Sequence, residues 1–186
     1  MQALHVIALR RRAPSAAIAR LLGGCVGFTL DADEFRRQMT GIGSVERFDV
    51  NRPLRDVAAA FRERAPVCLN VTTTHYGGPA VRYTMTVMTY TPRVVVADTR
   101  VELHLQARFH GLTFHDQGAN GAYVFLVHAT PLNAQRTHLE IWRGGFGGDK
   151  LVSAVQGWAS GSFSGCPDLS HQVGAFEPRW QHSRSR

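Results

Sequence analysis

Lysine is almost missing from this chain: Lys150 stands alone among 21 basic residues, and the others are arginine. With 14 acidic residues the formal net charge is +7, a balance that could serve an anionic partner such as nucleic acid. The arginines are scattered and no nucleic-acid motif accompanies them, which argues against that partner. Cysteine is also scarce. Cys25, Cys68 and Cys166 stand far apart without a Cys-x-x-Cys pair, so spacing indicates neither a zinc site nor a disulfide framework, and a reduced, cytoplasmic setting fits. No run approaches the roughly 20 apolar residues that a membrane-spanning helix needs. The cluster Gly144-Gly145-Phe146-Gly147-Gly148 has neither dinucleotide-binding nor P-loop spacing. A nucleophile elbow, a Ser-His-Asp pattern and internal repeats are likewise absent.

What is present is ordinary for a globular domain: 186 residues, 44% apolar and 19% charged. The chain divides into a basic extension over 1–24 that lacks any acidic residue, a domain over 25–160, and a Gly/Ser/Pro-rich tail over 161–186. Between Pro66 and Arg143 alternating apolar and polar residues, with turn signals between segments, predict six consecutive strands. The clearest is Val101–His110, where Val101, Leu103, Leu105, Ala107 and Phe109 alternate with Glu102, His104, Gln106, Arg108 and His110. Val67–His75, Val81–Val87, Val94–Ala97, Ala122–Thr130 and Thr137–Arg143 supply the others, with Pro92 separating the second from the third. Short links favour antiparallel neighbours, because a parallel crossover needs about a dozen residues.

Around these strands the pattern turns helical. Cys25–Leu30 reads as a short strand, and Asp31 with Glu34 three residues later opens a helix as far as Met39. A second helix has Asn51 as cap, Pro53 in its first turn, and Leu54, Val57, Ala58 and Phe61 at i, i+3, i+4 and i+7. Pro66 ends it. After the glycine cluster, Asp149–Ala159 carries Leu151, Val152, Val155 and Trp158 at helical spacing. The fold class is therefore α+β, an antiparallel sheet with two helices before it and one after.

This order is similar to the helix-grip fold of START-related proteins, polyketide cyclases and aromatases, which also forms the catalytic domain of Rieske-type non-haem iron oxygenases. Two stretches carry the likeness: Phe28-Thr29-Leu30-Asp31-Ala32-Asp33-Glu34-Phe35 at the entry to the first helix, and Val127-His128-Ala129-Thr130-Pro131-Leu132 with Arg136-Thr137-His138-Leu139-Glu140-Ile141-Trp142 as the last hairpin. The resemblance implies a cavity between the sheet and the C-terminal helix, holding an apolar, aromatic or polyketide-like ligand. The sequence departs from the oxygenase members in lacking Cys-x-His with Cys-x-x-His, so it can bind no Rieske cluster, and an oxygenase reading would make this chain a catalytic-domain fragment or a partner-dependent domain.

Histidine is the most suggestive residue type. His110 and His115 have the separation of an oxygenase iron pair, although in a strand-like context. A bulge at Gly111 would bring Glu102, His104, His110 and His115 onto one face, where imidazoles and a carboxylate would suit iron or zinc, with Asp116 or Asp149 completing the set. Without metal, His104 or His110 beside Glu102 could move protons, as a cyclase or aromatase requires. If that face meets solvent, these residues are the wet side of an antiparallel sheet. Tyr83, Met85, Phe109, Phe114, Tyr123, Phe125 and Trp142 are the candidates for core and ligand lining.

Overall fold

The computed structural model describes residues 29–76, 85–110, 117–144, 148–163 and 165–170. Three helices and six strands follow in the order α1 (Ala32–Gly41), β1 (Val45–Val50), α2 (Leu54–Leu69), β2 (Thr72–Tyr76), β3 (Met85–Ala97), β4 (Arg100–His110), β5 (Ala122–Asn133), β6 (Arg136–Arg143) and α3 (Gly148–Ser160). The strands form one open antiparallel sheet in the order β1-β6-β5-β4-β3-β2. The α+β class and the antiparallel sheet agree with the sequence. Among the described residues, no helix is long and apolar enough to cross a membrane.

Two apolar layers occupy opposite sides of this sheet. On one side Val57, Ala58, Phe61, Ala65, Cys68 and Leu69 of α2, with Leu151, Val152, Val155 and Trp158 of α3, meet Leu103, Leu105, Ala107, Val127, Leu139 and Ile141. The period of two along β4 selects its odd-numbered residues for this layer. On the other side Phe35 and Met39 of α1 cover Leu126 and Trp142, with Val45 and Tyr123 packed beside them. The Asp31 carboxylate accepts from the Glu34 amide at 2.8 Å, the cap expected for α1.

Several boundaries differ from the sequence reading, each for a local reason. Cys25–Leu30 lies mostly outside the described residues, and Thr29 and Leu30 are not in a strand. Instead β1 occupies Val45–Val50, pairing with β6, and Pro53, not Asn51, caps α2. Pro66 does not end α2. The helix continues to Leu69 because Pro66 and Arg62 are both exposed, so the carbonyl freed by proline turns to water while Ala65, Cys68 and Leu69 remain buried. Pro92 does not divide β3 either. β2 pairs only with 85–89, leaving Pro92 on an open edge where its missing N–H costs no ladder bond.

The cysteines also need correction. Cys68 and Cys166 form a disulfide across 98 residues, with Cα atoms 4.9 Å apart. Sequence spacing could not reveal it, because the end of α2 meets the chain only after it has passed through the sheet and α3. Leu169, in the same returning segment, is buried in the α2/α3 core.

Candidate functional site

Residues 102 and 104 share a face of β4, and the register sets their neighbours. Glu102 lies opposite His128, and His104 opposite Leu126. Their row continues through Glu140 and Trp142 on β6 to Arg47 and Val45 on β1. This is the α1 side of the sheet. A register shift between Leu105 and Gln106 places Tyr123 opposite Gln106 and hence on the same side. Gly121 allows the chain to enter there: its φ is +85°, and a Cβ would stand 2.1 Å from the Ala107 carbonyl oxygen.

The polar groups connect into one chain. His104 Nε2 donates to Glu102 Oε2 at 2.6 Å, which leaves Nδ1 to accept from the Tyr123 hydroxyl, 3.5 Å away. The other carboxylate oxygen, Oε1, lies 2.6 Å from Arg100 Nε and 3.7 Å from His128 Nε2. The Glu102, His104 and His128 side chains are only 14%, 10% and 11% exposed. Trp142 holds the His128 ring edge-on at 4.9 Å, and Tyr123 holds His104 in the same way at 5.6 Å.

Burial and charge tune these groups in different directions. Burial alone would raise the Glu102 pKa, but the His104 hydrogen bond and the positive fields of His128, Arg100 and His104 outweigh it and hold the carboxyl below its ordinary range. Burial lowers the His128 pKa, and Arg36, Arg100 and His104 act in the same sense against the opposing pull of Glu102. Burial raises Tyr123, with Asp31 and Glu102 adding to it and Arg93 opposing. At neutral pH the arrangement is therefore a neutral phenol, a carboxylate and a neutral His128, joined through His104.

The other expected site residues are dispersed. His110 shares the Glu102 face but sits eight positions from Glu102 along β4, about 27 Å away at a strand rise of ~3.4 Å per residue, where its Nε2 meets Thr89 Oγ1 at 2.9 Å. Asp149 pairs with Arg143 at the start of α3. His115, Asp116, Tyr83 and Phe114 lie outside the described residues, as does the bulge expected at Gly111. Met85 begins β3. Phe109 and Phe125 are buried in the α2/α3 layer, whereas Tyr123 and Trp142 are on the α1 side, so the apolar set divides between two faces. Among the described residues no group of three His, Cys, Asp or Glu side chains is arranged to hold a metal ion.

Sequence reasoning paired Glu102 with His104 but missed His128 and the role of Tyr123. The available signal was partial: antiparallel pairing of β4 with β5 brings the middle of one strand beside the middle of the other, but only the register after the bulge sets 128 opposite 102. The bulge at Val124 that redirects Tyr123 has no sequence mark beyond Gly121. Comparison with known proteins gives no matching family model, no similar curated protein and no similar solved structure.

Proposed function

We propose that the chain binds an apolar ring compound carrying a carbonyl group and transfers protons on it, in the manner of helix-grip cyclases and aromatases. The observation that carries this reading is the continuous contact from Tyr123 through His104 and Glu102 to His128. Its two ends have opposite competence. The Tyr123 phenol is a proton donor, and the neutral His128 imidazole is an acceptor. In this reading the Tyr123 O–H turns from His104 to a ring carbonyl oxygen and polarises it, His128 removes a proton from the adjacent carbon to leave an enolate, and Glu102 stabilises the one imidazolium that results, on His128.

The helix-grip likeness supports the substrate class, and the split of aromatic residues shifts the reacting groups from the expected sheet-helix cavity to the α1 side. The iron oxygenase and nucleic-acid adaptor readings gain no comparable observation.

The test uses a tetralone in deuterium oxide with purified protein, following mass gain at the carbon next to the carbonyl. Exchange above the buffer rate is expected, falling by on the order of 10²-fold in Tyr123→Phe or His128→Gln. Exchange that is undiminished in both variants would sink the proposal, as would failure of any ring ketone to bind.

A further inference from the structure

The outer strands of the sheet meet their surroundings in different ways. On β1 the side chains are charged and matched inside the chain: Glu46 pairs with Arg143, Arg47 with Glu140 and Asp49 with Arg136. Charges of that kind blunt an open edge. On β3 the sequence runs Val94-Val95-Val96, β-branched residues that favour strands, and β2 covers only 85–89 of its outer edge. The Tyr90 N–H donates to the Val71 carbonyl at 2.8 Å, and among the described residues no backbone group pairs with the edge beyond it.

Tyr90 also fixes which groups this edge presents. Along an antiparallel strand each residue turns its N–H and carbonyl to the same side, and successive residues alternate. Because Tyr90 turns outward, so do Pro92, Val94 and Val96, while Arg93 and Val95 turn to β4. Pro92 has no N–H to offer, but Val94 and Val96 each present a donor and an acceptor. Val96 is 39% exposed. The free stretch is bounded by Val71 at one end and by the Asp98-Thr99 turn at the other, and its midpoint is Val95.

That stretch is complementary to itself. In an antiparallel pairing centred on Val95, Val94 of each copy lies opposite Val96 of the other, so the two exchange N–H and carbonyl, and the twofold axis repeats the exchange. A centre one residue earlier would set the turn against Tyr90, whose outward N–H Val71 already holds. The same register puts Arg93 opposite Ala97 of the other copy, one position from its Asp98 and within an arginine's reach. Arg93 and Asp98 are both exposed, and neither makes an ion pair among the described residues. We infer that two copies of this chain join along the β3 edge into one continuous sheet. The paired edge is short, so the dimer is a weak one.

The experiment is sedimentation equilibrium of the full chain over a concentration series, with amide exchange followed at Val94 and Val96. The chain should dimerise as concentration rises, and both amides should become slower to exchange as it does. Val96→Pro leaves the β4 ladder intact and removes half of the bonds across the axis, so the dimer should weaken about tenfold or more. Arg93→Asp and Asp98→Arg should each weaken it through like charges, and an equimolar mixture of the two variants should associate again, since both contacts are then between opposite charges. Recovery on mixing is not a result that misfolded variants can give. A chain that stays monomeric throughout would overturn the proposal, as would a dimer indifferent to Val96→Pro or a mixture no better associated than its components. Slow exchange at Val94 and Val96 already in the dilute monomer would also overturn it, because the edge would then be covered by the chain itself.

Discussion

The two sides of the sheet use the same strands for different purposes. Toward α2 and α3, Leu103, Leu105, Leu139 and Ile141 are wholly buried and the layer is almost entirely apolar. Toward α1, residues one step away on those strands are Glu102, His104, His128 and Glu140. Two tyrosines show the contrast. Burial pushes the Tyr90 phenol up to about 12 on the core side, where Thr73 opposes the shift and the hydroxyl points to Met88 Sδ, whereas the Tyr123 hydroxyl meets an imidazole. Alternation at period two lets one ladder carry stability on one face and titratable chemistry on the other.

If the faces are separate in energy as well as in space, a core lesion should leave the polar side unaltered. Phe61 is fully buried in the α2 layer, so Phe61→Ala should cost about 3–5 kcal/mol in urea unfolding. Combined with Glu102→Gln, the two losses should add to within about 0.5 kcal/mol. A larger coupling would break the division between the faces.

The disulfide should act on the core side alone. Reducing Cys68–Cys166 removes a cross-link across 98 residues and should lower stability by about 2–4 kcal/mol, mainly by freeing the unfolded chain. The His104 and His128 ring resonances should remain where they are. Movement of those resonances on reduction would show that the returning segment supports both faces.

Acid should act on the polar side. His128 has a lowered pKa when folded, so the unfolded chain binds more protons as pH drops below the ordinary histidine value of 6.5. Glu102, also lowered, contributes stability above the ordinary carboxyl value of 4.5 that is lost as pH falls through its folded pKa. Both signs run the same way. The melting temperature should therefore fall from pH 7 to pH 5, and less steeply in His128→Gln. An equal or steeper fall in that variant would contradict the assigned direction.

Legibility in the sequence followed periodicity. Along β4 the alternation from Val101 to His110 identified the strand and the shared face of Glu102 and His104 without ambiguity. Val45–Val50 went unread because six residues beside a helix start give little signal, although Phe48 and Val50 alternate with Arg47 and Asp49. The two prolines misled for a common reason: proline breaks an element only where its N–H or ring meets a partner, and Pro66 and Pro92 face water and an open edge. The partners of Glu102 depend on strand register, which a single-residue bulge at Val124 alters. The Cys68–Cys166 pairing depends on the whole path of the chain.

The smallest effect should come from the outer edge of the polar face. Arg47 Nε meets Glu140 Oε1 at 2.7 Å between β1 and β6, but the side chains are 55% and 33% exposed. Solvent screens such a pair, and holding two long side chains in one geometry offsets much of the attraction. A double-mutant cycle with Arg47→Met and Glu140→Gln should give a coupling of at most about 0.5 kcal/mol, shrinking further in high salt. The buried Glu102–His104 contact, tested with Glu102→Gln and His104→Gln, should give a larger coupling that salt changes little, because water reaches it poorly. Equal couplings for the two pairs would mean that α1 shields its side of the sheet no better than the open edge does.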